Sequence, residues 1–102
     1  MSQFILSPAA QRDIFDIIEY IAKDNPRAAL RLSDQFYQTF EKLSKTPGMG
    51  YYRSEIVSKE KHVRFWSIGN YLIIYREKEK SIEIIRVWSR YRDIRSILKS
   101  LN

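Results

Sequence analysis

The chain has 102 residues, no cysteine and a formal net charge of +6. This length predicts one domain, spanning residues 1–102, and the lack of cysteine excludes disulfides, thiolate metal ligands and cysteine nucleophiles. No apolar run approaches the roughly 20 residues of a membrane helix, and the first ten residues lack the pattern of a signal peptide. We therefore expect a soluble, cytoplasmic protein that does not enter a membrane.

The positive charge is concentrated in the second half of the chain. Residues 1–50 hold six Lys or Arg and six Asp or Glu, whereas residues 51–102 hold twelve and six, so the whole excess of six lies there. A one-sided basic surface is typical of proteins that bind nucleic acid, a nucleoprotein machine or an acidic protein segment. The same charge also serves solubility alone, and composition does not choose between the two.

The first half predicts a short strand followed by two helices. Gln3–Leu6 has strand character, and Ser7-Pro8 and Asn25-Pro26 are each an N-cap residue followed by proline at the first helical position. Both helices carry apolar residues at helical spacing: Ala10, Ile14, Ile17, Ile18 and Ile21, then Ala29, Leu32, Phe36, Phe40 and Leu43. The short connection predicts an antiparallel helical hairpin that ends at Thr46–Gly50, with these stripes in the core.

The second half predicts three strands and a tail. Tyr51–His62 has no periodic pattern and is expected to be an exposed loop. The strand patterns are Val63–Ile68, Tyr71–Arg76 and Ile82–Trp88. Gly69-Asn70 predicts a two-residue type II′ turn between the first two, and Ile94–Leu101 predicts a short helix.

Hairpin register predicts two different faces for this sheet. A two-residue turn at Gly69-Asn70 and a four-residue second loop place Ile73 opposite Ile84 and Tyr71 opposite Arg86, and opposed residues share a face. One face would then be cationic and aromatic, with Arg64, Trp66, Tyr71, Tyr75, Arg86 and Trp88. The other would lie under the helical hairpin, with Phe65, Leu72, Ile74, Ile85 and Val87.

The residue types of this chain indicate a binding surface more strongly than they indicate a catalytic centre. His62 is the only histidine and has no cysteine or carboxylate cluster around it, so neither a metal site nor a cofactor is expected. Arg86, Arg90, Arg92 and Arg95 are interleaved with Trp88 and Tyr91. Guanidinium groups bind carboxylate or phosphate and aromatic rings stack on bases or on arginine, although a purely structural ladder of the same contacts is an equal alternative.

Several segments together resemble a known family of bacterial toxins. DIIEYIAKDNP in the first helix, GNYLIIYR at residues 69–76, and Ile85-Arg86-Val87 leading to Arg92-Asp93 occur in the order and spacing of the ParE branch of the RelE/ParE superfamily. The resemblance covers nearly the whole chain. It implies an α+β fold, β-α-α-β-β-β with a further C-terminal helix, in which the helical hairpin packs on a small antiparallel sheet.

The resemblance also implies a function. ParE-like, plasmid-stabilisation toxins belong to type II toxin–antitoxin modules, in which a ParD-like or related antitoxin silences the toxin within a hetero-oligomeric complex. ParE-like toxins poison DNA gyrase by binding, without being enzymes. RelE-like toxins instead cut mRNA on the ribosome. Where ParE-like relatives often carry His-Gly-Ala-Arg-Asp, this chain has Ser89-Arg90-Tyr91-Arg92-Asp93.

The expected contact residues follow from these two possibilities. A gyrase inhibitor would bind its target or antitoxin through a set of cationic and aromatic residues: Arg64, Trp66, Tyr75, Arg76, Arg86, Trp88, Arg90, Tyr91 and Arg92. An endoribonuclease would use Arg64 and Arg86 to stabilise the charged phosphate and Tyr91 to transfer a proton. An inactive relative that only binds its antitoxin is a third possibility.

Overall fold

The computed structural model describes residues 3–101 and has the predicted α+β element order. Its elements are β1 (Phe4–Leu6), α1 (Pro8–Asp24), α2 (Pro26–Lys45), β2 (Val63–Ile68), β3 (Tyr71–Glu77), β4 (Ile82–Ser89) and α3 (Leu98–Leu101). Both predicted helix starts are confirmed, since Ser7 Oγ accepts a hydrogen bond from Ala10 N and Asn25 Oδ1 accepts one from Ala28 N. No helix within residues 3–101 is long and apolar enough to cross a membrane.

The four strands form one sheet in the order β1-β4-β3-β2. The β2–β3 and β3–β4 pairs are antiparallel, whereas β1 lies parallel to β4 and makes the sheet mixed. A type II′ turn requires a positive φ at its first central residue only. Gly69 has φ +55° and Asn70 does not have a positive φ, so the turn meets this requirement. The predicted β2–β3 register is therefore confirmed, with Ile68 opposite Tyr71.

The predicted β3–β4 register is wrong. Ile73 lies opposite Val87 and Tyr71 opposite Ser89. The strands pair from Glu77 and Ile82 onward, and a β-bulge between Ile74 and Tyr75 leaves one extra residue in β4. Because a bulge adds one residue to a strand, each β4 side chain after the bulge lies on the face opposite to the one that regular alternation from Ile82 predicts.

The assignment of the two sheet faces is wrong as well, because both faces are covered. The helical hairpin packs on Ile73, Tyr75, Ile82, Ile84 and Val87, with Trp66 and Tyr71 at the margin. The C-terminal segment, Ile94–Leu101, covers the opposite face through Ile97 and Leu101, where it meets Phe65, Leu72, Ile74, Ile85 and Trp88. Strands buried on both faces lose the apolar–polar alternation from which a face is predicted.

The segment Tyr51–His62 is less exposed than predicted. Tyr51 exchanges two backbone hydrogen bonds with Phe65 along the outer edge of β2, and Val57 is buried against the second face. Lys59–Lys61 form a short 3₁₀ turn, and His62 follows it in the left-handed conformation, with φ +60°. The exposed residues of this segment are Tyr51, Ser54, Glu55 and residues 58–62.

Candidate functional site

Arg90, Tyr91 and Arg92 follow β4 and lie beside the β2–β3 turn, and we call these three residues with Gly69 and Asn70 the tip. Arg90 N donates to Asn70 O over 2.8 Å, and its guanidinium reaches Gly69 O at 3.3 Å. The Tyr91 hydroxyl donates to Asn70 Oδ1 at 3.3 Å while 79% of the residue remains exposed. The β2–β3 turn and the segment after β4 are therefore hydrogen-bonded to each other. The tip that they form carries two cations and one aromatic ring.

Arg92 is held by an aromatic ring and not by a carboxylate. Its guanidinium carbon lies 3.9 Å from the ring centroid of Trp88, which is itself buried. Neither Arg90 nor Arg92 forms an ion pair with any residue among 3–101. Stacking orients a guanidinium while leaving its N–H donors available to an anionic partner.

Arg86, in contrast, is paired with a carboxylate of the fold itself. Its Nε and Nη2 donate to the two carboxylate oxygens of Asp13 on α1 at 2.7 and 2.8 Å. The hydrogen bonds to Asp13 raise the pKa of Arg86, so this guanidinium stays charged. A third donor, Val87 N, reaches the same carboxylate at 3.1 Å. Arg86 thus fastens α1 to the edge of β4, which is a structural role.

Arg64 and Arg76 are similarly engaged. Arg64 pairs with Glu77, donates to Gly50 O at 2.8 Å and stacks over Tyr52 with its guanidinium carbon 4.2 Å from the ring centroid. Arg76 donates to Lys61 O at 3.2 Å and to Leu101 O at 2.9 Å, which fastens the C-terminal segment to the sheet. Both side chains are only partly exposed.

Three aromatic residues expected at the surface belong wholly or partly to the core. Tyr75 is fully buried, and its hydroxyl donates to Pro47 O at 2.5 Å and accepts from Gly50 N at 2.9 Å. Trp88 is buried under Arg92, and Trp66 packs at the margin of the helical hairpin. Of the nine predicted contact residues, the three that follow β4 are exposed and the other six are buried or partly buried. Which of them contact a partner stays a prediction.

A cleft of about 430 Å³ lies beside the tip, between α1 and the end of β4. Asp13, Asp16, Ile17 and Tyr20 line it from α1, and Tyr71, Val87, Ser89 and Arg92 line it from the sheet and the tip. Its volume is within the range of pockets that bind small ligands or peptide segments. The walls carry both a cation, Arg92, and a carboxylate, Asp16, that forms no ion pair with any residue among 3–101.

The helical hairpin carries a second surface that the sequence interpretation missed. Phe15 on α1 and Leu30 and Tyr37 on α2 are 62%, 67% and 43% exposed. A groove of about 480 Å³ between the helices is lined by Phe15, Ile18 and Tyr37 together with Gln11, Ile14, Glu19 and Ser33. Phe15 and Tyr37 are large apolar residues outside the two stripes assigned to the core. That position was the sequence signal from which this second surface could have been predicted.

Comparisons with known proteins identify the family. Residues 4–94 match the model described as the ParE toxin of the type II toxin–antitoxin system parDE. The fold resembles a solved chain from the chromosomal ParDE toxin–antitoxin system of P. aeruginosa, with a TM-score of 0.71 and 21% identity over 87% of this chain and 96% of that one. A search of curated proteins finds no match. Because the family model spans most of the described residues, this chain belongs to the ParE toxins of type II toxin–antitoxin systems.

Proposed function

We propose that this ParE toxin arrests growth by binding DNA gyrase through the tip, and that its antitoxin silences it within a toxin–antitoxin complex. One observation carries the proposal: Arg90, Tyr91 and Arg92 are exposed and have no ion-pair partner among residues 3–101, whereas the strand arginines are committed to the fold. Unpaired arginines beside an exposed aromatic ring are the residue types that dominate the energy of protein interfaces. Gyrase and antitoxin would be met in the cytoplasm.

The arrangement favours binding over RNA cleavage. A ribonuclease needs a base for the 2′-hydroxyl, an acid for the leaving oxygen and cations free to contact the phosphate. Arg64 and Arg86 are each neutralised by a carboxylate, Glu77 and Asp13. His62 precedes β2, at the end of that strand away from the tip, and six residues of strand extend over about 20 Å. Tyr91 therefore has unpaired arginines beside it, but it is far from His62, and the two strand arginines that would stabilise the phosphate are already paired.

The groove of the helical hairpin supports the antitoxin part of the proposal. Large apolar side chains that remain exposed along two adjacent helices indicate a surface that a partner covers. An amphipathic segment that places its apolar side chains between α1 and α2 would bury Phe15 and Tyr37 together. This surface is separate from the tip, so one partner can cover both only by extending across the molecule.

The gyrase assignment is tested with purified protein, gyrase and supercoiled plasmid. We expect cleavage complexes to accumulate with the wild-type chain and to disappear with Arg90→Gln/Tyr91→Ala/Arg92→Gln. Arg95→Gln is the matched control, because Arg95 is also exposed but pairs with Asp93 outside the tip. A parallel reaction contains translating ribosomes in place of gyrase. If the wild-type chain cuts mRNA on the ribosomes and leaves gyrase unaffected, the proposal is wrong.

The antitoxin surface is tested by co-purification of the toxin with its antitoxin. We expect Phe15→Ser/Tyr37→Ser to weaken the complex while keeping the fold, because both side chains are already exposed. Ile5→Ser, at an apolar residue of β1 that is 58% exposed and lies outside both the groove and the cleft beside the tip, is the matched control. If the groove variant and the control variant retain the antitoxin equally well, the groove is not part of the interface.

A further inference from the structure

Trp88 buries an indole N–H that the fold does not satisfy. The residue is 3% exposed and packs with Phe65, Leu72 and Ile97 under the C-terminal segment. Its Nε1 is buried and has no hydrogen-bond partner among residues 3–101. A buried donor without an acceptor costs free energy, because water would have satisfied it in the unfolded chain. Packing therefore gives a reason for a large apolar ring at this position, but it gives none for an indole.

The property that distinguishes this indole from other apolar side chains is its attraction for cations. The guanidinium carbon of Arg92 lies 3.9 Å from the ring centroid of Trp88, and that of Arg86 lies 4.9 Å from it. Among aromatic side chains, tryptophan binds a cation over its ring most strongly. The contact with a guanidinium is thus an interaction that phenylalanine or leucine would provide less well or not at all.

The two arginines depend on this ring to different degrees. Arg86 donates from Nε and Nη2 to the carboxylate of Asp13, which fixes its orientation without Trp88. Arg92 has no ion-pair partner among residues 3–101. Its backbone N–H donates to Ser89 O, which places the residue but does not restrict the rotation of its side chain. The ring of Trp88 is therefore the contact that orders the Arg92 guanidinium.

We propose that Trp88 is a positioning residue of the tip, and that it holds Arg92 in the orientation in which an anionic group of the partner binds it. A long side chain that is already ordered loses less conformational entropy when a partner immobilises it. Trp88 itself need not contact the partner, since it is 3% exposed. The inference rests on the proposed function only in that the tip binds a partner, because the ordering of Arg92 belongs to the toxin alone.

The first test is NMR spectroscopy of the toxin alone, which needs no gyrase. Protons of a guanidinium side chain that lies over an indole ring are shifted upfield by the ring current. We expect the Arg92 Nε proton and Cδ protons to show this shift in the wild-type chain. The shift should be smaller in Trp88→Phe and absent in Trp88→Met, whose flexible side chain fills much of the space but has no aromatic face.

Trp66→Phe is the matched control. It is the same substitution on the neighbouring strand β2, and no cation lies over the ring of Trp66 in the described part of the chain. We expect this control to leave the Arg92 proton shifts and the affinity for gyrase unchanged.

The second test is the affinity of the same variants for gyrase. Trp88→Phe should weaken binding about threefold and Trp88→Met about tenfold, which is the range expected for the ordering of one long side chain. In an Arg92→Gln background, Trp88→Met should weaken binding no further, because Trp88 acts through Arg92. This absence of a second loss distinguishes a positioning role from a general disturbance of the tip.

Stability provides a third readout, because a purely structural role would affect it differently. Trp88→Phe should unfold at nearly the same urea concentration as the wild-type chain, since it loses apolar contacts but also removes the unpaired N–H. If Trp88 only fills the core, its replacement lowers the urea midpoint and leaves both the Arg92 shifts and the gyrase affinity of the folded protein unchanged.

Two results would overturn the inference. One is an Arg92 side chain whose proton shifts are the same in Trp88→Phe, Trp88→Met and the wild-type chain. The other is a loss of gyrase affinity on Trp88→Met that is as large in the Arg92→Gln background as in the wild-type background. If the wild-type chain does not bind gyrase at all, the proposed function is wrong, and the Arg92 shifts still decide whether Trp88 positions the tip.

Discussion

Replacing Asp13 should destabilise the protein more than replacing any other acidic side chain of α1. Its carboxylate accepts three hydrogen bonds, two from Arg86 and one from Val87 N, all between 2.7 and 3.1 Å. The side chains of Asp13 and Arg86 are only 10% and 16% exposed, so solvent screens the pair weakly. Removing one partner of such a pair leaves a charge without compensation and costs about 3 kcal/mol.

The assay is urea unfolding of Asp13→Ala, followed by circular dichroism and extrapolated to water. Asp16→Asn is the matched control, because Asp16 lies one turn further along the same helix and forms no ion pair among residues 3–101. We expect the control to change the free energy of unfolding by less than about 0.5 kcal/mol. A loss below about 1 kcal/mol for Asp13→Ala would show instead that solvent screens the pair and that Asp13 contributes little to stability.

Three further predictions concern the packing around Tyr75 and the β2–β3 turn. Gly50→Ala should cost about 1–3 kcal/mol in urea unfolding, because a Cβ there would lie 2.8 Å from Tyr75 Cε1, whereas Gly48→Ala, with no atom within 4 Å, should be nearly neutral. Burial raises the pKa of the Tyr75 hydroxyl above its ordinary value, so the stability that it contributes is present below pH about 10 and is lost as the pH rises through the folded pKa. Tyr75→Phe should therefore flatten the alkaline decline in unfolding free energy, and an unchanged decline would contradict this. Gly69→Ala should cost about 1 kcal/mol in the same assay, because its φ of +55° is strained for any residue with a Cβ.

Local signals predicted the elements, while the packing of the sheet depended on features that no local signal reveals. Ser7-Pro8, Asn25-Pro26 and Gly69-Asn70 act through their own backbone geometry, and each was placed correctly. The bulge in β4 is different, because it is defined only by pairing with β3. One extra residue there places Val87 on the face of Tyr75 and Trp88 on the face of Leu72, which is the reverse of the predicted grouping.

The candidate site shows the same limit. Residue type predicted that arginine and aromatic side chains matter, but it could not tell a free guanidinium from one with a carboxylate partner. Asp13 is 73 residues from Arg86 in sequence, so only the folded chain reveals that pair. Arg90, Tyr91 and Arg92 remain exposed because they follow the last paired residue of β4, beyond the reach of the core.

The most direct test of the central claim is the affinity of immobilised gyrase for the wild-type chain, the tip variant Arg90→Gln/Tyr91→Ala/Arg92→Gln and the Arg95→Gln control. We expect the tip variant to bind at least about 30-fold more weakly, the equivalent of about 2 kcal/mol at an interface hot spot, while it unfolds in urea like the wild-type chain. We expect Arg95→Gln to bind like the wild-type chain. Equal affinity of the folded tip variant and the wild-type chain would contradict the claim that the tip is the surface through which this toxin binds.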